Sequence, residues 1–559
     1  MRANILRAFG CVALISQGAC DGSIGKAIGP QDPFAPGSAT GTGGGVGPGG
    51  GVDHGAQAPL RRLTRTQYNN TVRDLLGVDS NPAVDFGLDE EDGGFASNDR
   101  APVEPLQVER YQLAAEALAE KAIASLTKVV PCAPPAGSEA TCVEEFLRGF
   151  GKRVYRRPLT SDEITQYKLL FSVGKGTNAD FASGISLVIS TMLQSPHFLY
   201  RPELGDSAAA SSDGWPLSPY ETASRLSYFL QNTMPDDVLL AAADSNKLVT
   251  PDEMSAQARR LLAAPKGRDT VISFHQQWLE MEGILTLEKD PAVYPGFTPD
   301  LRAAMQDELR EFTDYVVRQG DGRLDTLLTA NFSFVRGPLF GVYGLAPPQG
   351  TSTISPVKTT LKAGERSGLM TFASVMADHA HPNQSSPVKR GYVILDKLLC
   401  TVPPPPPANV DNTVPEPDPN VPTRIRFEQH RDNPTCATCH GLMDPLGIAF
   451  EIFDGMGRFR KMDGNQPVDA SSELAGTDRD GPVKDAVELM GRLATASEVR
   501  RCLATQWFRY AFGRMETPDD SGIVAAAFDG FARSDYRIPD LLVALSTTKG
   551  FRYRLPIQP

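Results

Sequence analysis

SPYETASRLSYFLQ, residues 218–231, opens on Ser218 with Glu221 three positions later. That spacing is a capping box, in which the serine hydroxyl and the glutamate carboxylate each satisfy an orphan backbone N–H at a helix start. Ala223, Leu226 and Leu230 then recur at intervals of three and four, the stripe of a helix that buries one face. The same box recurs at Thr64/Gln67, Thr160/Glu163 and Thr250/Glu253, each ahead of an amphipathic run.

Val103 to Leu126 places Val108, Tyr111, Ala115, Leu118 and Ala122 on one face. Further helices are predicted over Phe181–Leu199, Thr298–Arg318, Pro387–Leu399, Val483–Leu493, Val499–Phe512 and Ile538–Leu545. Strand alternation is scarce, so the expected class is mainly α. It takes the form of a multi-domain helical body followed, after a proline-rich linker, by a further α unit.

The divisions read as 60–130, 143–202, 214–345 and 346–400 for the body, 401–423 for the linker and 424–559 for the C-terminal unit. The linker holds five consecutive prolines, which neither helix nor sheet accommodates. At the other end, residues 1–20 carry Arg2 and Arg7, a short apolar run and small residues up to Cys20, the pattern of an export signal. Gly18-Ala19 before Cys20 resembles a lipobox, with Gln17 where leucine is usual, so lipidation at Cys20 and ordinary cleavage both stand. Residues 21–59 are rich in Gly and Pro and read as a tether.

With 559 residues, 41% hydrophobic and a net charge of −12, the chain has globular composition and no basic face for nucleic acid. Export gives its eight cysteines meaning, because disulfides persist in oxidising compartments. Cys11 leaves with the signal and Cys20 is the lipidation candidate. Cys132 and Cys142 flank a Pro/Gly loop suited to a local disulfide, and Cys400 is left to pair with Cys502.

Cys436 and Cys439 belong to NPTCATCHGLMDPLG, residues 433–447, where His440 completes a Cys-x-x-Cys-His motif. Chance produces this on the order of once in a thousand such chains. Two thiols at this spacing reach the two vinyl groups of one haem, and the adjacent histidine is delivered to the iron. One covalent haem c is therefore expected, with Cys436 and Cys439 as anchors and His440 as axial ligand. Zinc would call for a second ligand pair, for which His379-Ala-His381 has the wrong spacing. A thioredoxin-like pair would call for β-rich flanks.

For the sixth iron ligand Met490 ranks first, since small c-type cytochromes return a methionine from well downstream. Met443, Met456, Met462 and His430 are the alternatives.

LRRLTRTQYNNTVRDLLGVD, VYRRPLTSDE, SPHFLYRPE, LSPYETASRLSYFLQNTMPDDVLL, HAHPNQSSPVKRGYVILDKLLCTVPPPPP, CATCHGLMDPLGIAFEIFDGMGRFR and CLATQWFRYAFGR occur in that order. Together they resemble the modules of exported planctomycete and myxobacterial proteins built from domains of unknown function, the 1587, 1595, 1592, 1588 and 1585 series. The resemblance covers nearly everything from Leu60 onward. It implies an exported helical body with a cytochrome-c-like C-terminal unit, maps the motif onto Cys436, Cys439 and His440, and supplies no substrate or catalytic residue.

Smaller clusters have plainer readings. Asp85, Asp89, Glu90, Glu91 and Asp92 could hold Ca²⁺, but the spacing is not that of an EF-hand and a solvated acidic turn fits better. Lys389 or Arg390 could meet haem propionates, and His379 or His381 a metal or the haem. The competing reading makes this a capping loop with Ser385 or Ser386 as cap and Pro387 in the first turn. His197 and His275, in apolar surroundings, read as core histidines.

Signatures of α/β-hydrolases, P-loop NTPases and dinucleotide folds are absent from the sequence. The expected function is therefore exported electron transfer, or haem-linked oxidoreduction on an unidentified substrate, with an unidentified redox partner. Membrane association would run through Cys20. The alternative from another class is a non-enzymatic cell-surface binding or scaffold protein whose Cys-x-x-Cys-His unit is disulfide-bonded or holds another metal.

Overall fold

Each of the four capping boxes forms as the spacing requires. The hydroxyls of Thr64, Thr160, Ser218 and Thr250 accept from the amides of Gln67, Glu163, Glu221 and Glu253, whose side chains accept from the cap backbone. In the computed structural model, residues 51–100, 102–132, 138–177, 180–349, 354–403, 414–428 and 434–556 are described. They are mainly helical, and their strands pair as short two-stranded antiparallel ribbons. The export signal with Cys11 and Cys20, and most of the expected tether, lie outside the described residues, as does His430.

Two hydrophobic cores organise the chain. The first is built by helices Arg65–Leu76, Pro105–Ile123, Glu139–Tyr155, Ser161–Lys175 and Phe181–Gln194. The second takes in Ala56 and Phe95, then residues from Ala223 to Phe551 on both sides of the proline-rich linker, Leu398 and Phe450 among them. Strand Arg61–Arg62 pairs with Tyr200–Arg201, and Trp215–Pro216 with Tyr553–Arg554. Residues 51–59, the end of the expected tether, are built into this body. Ala56 is buried and bridges Arg554, and the Asp53 carboxylate accepts from the amides of Lys549 and Gly550. Their partners lie some five hundred residues away in sequence, so local composition carries no trace of the docking.

Two burial expectations are corrected. Val108 is 53% exposed although its spacing matches the buried stripe of Tyr111, Ala115, Leu118 and Ala122. Periodicity identifies the face of a helix but not how far along it the covering element extends. His197 is exposed, beside Glu163 at 3.8 Å, whereas His275 is fully buried with Nδ1 against the Val271 carbonyl at 2.7 Å. Burial holds the His275 imidazole down at about 4.

Both expected cross-links are present, Cys132–Cys142 and Cys400–Cys502. The acidic run folds as a turn around the ribbon Glu91–Asp92 and Phe95–Ala96. Asp89 is spent within it, accepting from the Arg65 amide at 3.0 Å and the Asn98 side chain at 2.6 Å. Among the described residues no three His, Cys, Asp or Glu side chains converge as a metal site.

One buried acid makes stability depend on pH. Glu308, on helix Pro299–Asp314, is fully buried and accepts from Ser333 Oγ at 2.6 Å and from the Tyr343 hydroxyl. Burial pushes its carboxyl up to about 7, against the opposing pull of those hydroxyls and of Arg366. The folded state then keeps a proton that the unfolded state, with the ordinary glutamate value of 4.5, releases. Stability is fully present below pH 4.5 and falls as pH rises to about 7, by about 3 kcal/mol in total. Glu308→Gln is expected to remove that slope and to exceed the unsubstituted chain in stability at pH 8. Urea midpoints at pH 5 and pH 8 measure it, and an unchanged slope would show that Glu308 stays ionised.

Candidate functional site: the Cys-x-x-Cys-His helix

The motif sits on helix Pro434–Ile448, with Cys436 and Cys439 in its first half and His440 at the junction with the second. Pro445 lies inside this helix and has no N–H to give the carbonyl four residues back, that of Gly441. The helix packs across Pro387–Val393, and two glycines set the distance. A Cβ on Gly391 would lie 2.0 Å from the Met443 carbonyl oxygen, and one on Gly447 1.7 Å from that of Pro387. Backbone meets backbone here, so no side chain larger than hydrogen fits at either position.

The crossing helix starts as its residues dictate. Ser386 caps it by accepting from the Lys389 amide, and Pro387 occupies the first turn. Arg390 is wholly buried in the crossing, so the expectation that it could meet haem propionates is corrected. Its Nη1 donates to the carbonyls of Phe450 and Phe453 at 3.0 and 2.9 Å and to Glu451 at 3.3 Å. Nη2 donates to the carbonyls of Met376 and Asp454 at 3.1 and 2.7 Å. Glu451 is completed by Ser385 and Arg460 at 2.7 and 2.6 Å.

His379 is likewise structural. Its Nε2 meets the Leu279 carbonyl at 3.0 Å, and burial holds it down at about 4. His381 stacks on Phe427 with ring centroids 6.3 Å apart. Lys389 Nζ reaches the Ala380 carbonyl at 3.5 Å.

His440 is one-fifth exposed, and its Nδ1 lies 3.0 Å from Oδ1 of Asp444, one turn along the helix. Asp444 is buried, and its other oxygen, Oδ2, has no hydrogen-bond partner. A carboxylate here selects the tautomer that carries its proton on Nδ1, which puts the ring's lone pair on Nε2. Axial and zinc-bound histidines are held in this way, because such a carboxylate fixes ring orientation and raises ligand basicity. His440 and Asp444 are therefore arranged as a carboxylate-oriented ligating histidine, an arrangement that suits a haem carried on this motif. Asp444 was missed by sequence reasoning, although its position four residues after His440 is a helical neighbour spacing.

The methionines are dispersed. Met490 is wholly buried on helix Ala486–Leu493, which packs on the turn Ala449–Ile452 directly after the motif helix. Met443 is buried on the motif helix itself, three residues from His440, and so shares a face with it rather than opposing it. Met456 is buried beyond the turn, and Met462 is half exposed.

Five protein-family models match in succession, each described as a protein of unknown function: DUF1587 over residues 61–124, DUF1595 over 142–203, DUF1592 over 217–345, DUF1588 over 366–463 and DUF1585 over 480–551. The fourth match spans the crossing helix, the proline-rich segment and the motif helix together. No curated protein and no solved structure matches the chain. The chain is thus a mainly helical protein built from five consecutive domains of unknown function, with the Cys-x-x-Cys-His helix inside its DUF1588 domain.

Proposed function

We propose that the protein is an exported c-type cytochrome-like protein that carries one covalent haem and serves electron transfer or haem-linked oxidoreduction. Cys436 and Cys439 would hold the porphyrin and His440 the iron, with Met490 as the sixth ligand. The observation that carries this reading is the His440–Asp444 pair, a histidine oriented by a buried carboxylate next to two cysteines at haem spacing. Bound haem supplies a one-electron couple. The chain's own part is to fix the tautomer of His440, to shield the Met490 sulfur from water and to clamp the motif helix against Pro387–Val393.

Two disulfides suit an oxidising compartment, which supports export to the periplasm or cell envelope. No helix among the described residues is long and apolar enough to cross a membrane. Lipid attachment at Cys20 and an external redox partner belong to the same proposal.

The test is expression with export and haem-attachment machinery. A pyridine haemochrome spectrum and a mass increase of one haem are expected, both lost in Cys436→Ala/Cys439→Ala. Folded, haem-free protein from such a host would overturn the reading. In the loaded protein, Met490→Leu is expected to abolish the red absorption band of methionine-ligated ferric haem. Asp444→Asn is expected to shift the reduction potential while haem stays attached.

A further inference from the structure

A small polar cavity of about 60 Å³ lies where the matched domains other than DUF1588 meet. Arg61, Arg201, Tyr228, Gln277 and Tyr510 contribute to its wall. At about 30 Å³ per water, it has room for two waters or one small oxyanion.

Arg201 sets its character. The residue is 7% exposed, so its guanidinium is taken out of bulk water. Nε is buried without a partner, and the group lies 5.0 Å from the centre of the Tyr228 ring. The nearby carboxylate is already shared. Glu203 takes Arg225 Nε at 3.0 Å and lies 3.5 Å from Arg61, so one anion serves two cations before Arg201 is counted. Across the cavity Asp89 is committed to the Arg65 amide and Asn98, and Glu282 stands at the exposed rim. Burial and the adjacent Arg61 push Arg201 down to about 9. A buried guanidinium that shares its nearby carboxylate with two other arginines and leaves Nε without an acceptor is costly, and arginine's planar fork matches a carboxylate or phosphate oxygen pair.

We propose that this cavity is a binding site for one small oxyanion, held by the guanidinium of Arg201, whose Nε lacks an acceptor, with Arg61 at its side. Both a short carboxylate and inorganic phosphate satisfy this chemistry. Bound there, the anion bridges the strand pair Arg61–Arg62/Tyr200–Arg201 to the helices that carry Tyr228 and Tyr510, and so couples ligand occupancy to domain packing.

Thermal unfolding of the full chain, at constant ionic strength with chloride as reference, tests this against formate, acetate and phosphate. A saturable rise in midpoint with at least one anion is expected, following the logarithm of concentration above the dissociation constant. Response to formate and acetate alone identifies a carboxylate ligand, and response to phosphate alone a phosphate ligand. Arg201→Met is expected to abolish the rise and Arg201→Lys to retain part of it. No saturable rise with any of the three, or an undiminished rise in Arg201→Met, would overturn the proposal. Should Arg201→Met fail to fold, crystals of the unsubstituted chain soaked in selenate decide. A second soak in bromoacetate covers the carboxylate case; an anomalous peak from either anion within hydrogen-bond reach of Arg201 supports the site, and the absence of both overturns it.

Discussion

Replacing Cys400 and Cys502 together by serine is expected to cost about 4–5 kcal/mol in the chain-entropy model, because the cross-link closes a loop of about a hundred residues. The closed loop contains the proline-rich segment, the motif helix and Met490, so the bond restricts the unfolded excursions of the segment proposed to carry haem. Its ends are anchored on both sides. Cys400 lies just beyond the π-helical segment Ile394–Leu398, and Cys502 lies in helix Ser497–Phe512, where its sulfur also rests 3.4 Å from the Lys397 carbonyl. Urea unfolding of the oxidised chain and the double variant measures the loss. A change below about 1 kcal/mol would show that the unfolded chain is held compact by other means. Cys132→Ser/Cys142→Ser closes a far shorter loop and is expected to lose less.

Arg390→Met is expected to destabilise by about 3–5 kcal/mol, the range for breaking a buried, hydrogen-bonded charge pair. Methionine keeps much of the side-chain length but leaves four carbonyl oxygens, those of Met376, Phe450, Phe453 and Asp454, without their donor. Glu451 would retain Arg460 and Ser385, which limits the charge imbalance. Arg390→Lys restores the charge but not the planar fork, so it recovers only a minor part. Thermal and urea midpoints of the three proteins give the ranking. Equal stability of Arg390→Met and the unsubstituted chain would mean that the carbonyls find water once the arginine is gone. The effect should also reach the motif, since Arg390 immediately precedes Gly391 in the helix crossing.

Neighbouring residues of one short segment were unequally legible. Ser386 as cap and Pro387 in the first turn could be read directly, because capping is a contract between residues three or four apart. Arg390, four positions on, could not. Its five acceptors lie 14 to 64 residues away, and an arginine beside a histidine-rich loop looks the same whether it meets a propionate or a carbonyl. His197 and His275 make the same point, since both have apolar neighbours in sequence but only one meets a covering helix in space.

By itself the sequence determined the helical class, the four capped helix starts, the presence of a Cys-x-x-Cys-His motif and the pairing of Cys132 with Cys142 and Cys400 with Cys502. These rest on local spacing or on cysteine bookkeeping, and neither needs a fold to be known. Tertiary structure alone decided which arginine is a structural pin, that two glycines let the motif helix touch its neighbour backbone to backbone, and that Nε of Arg201 is left without an acceptor beside a cavity. Each of those depends on which distant groups share one low-dielectric space, where a hydrogen bond made or missed is worth more than any local propensity.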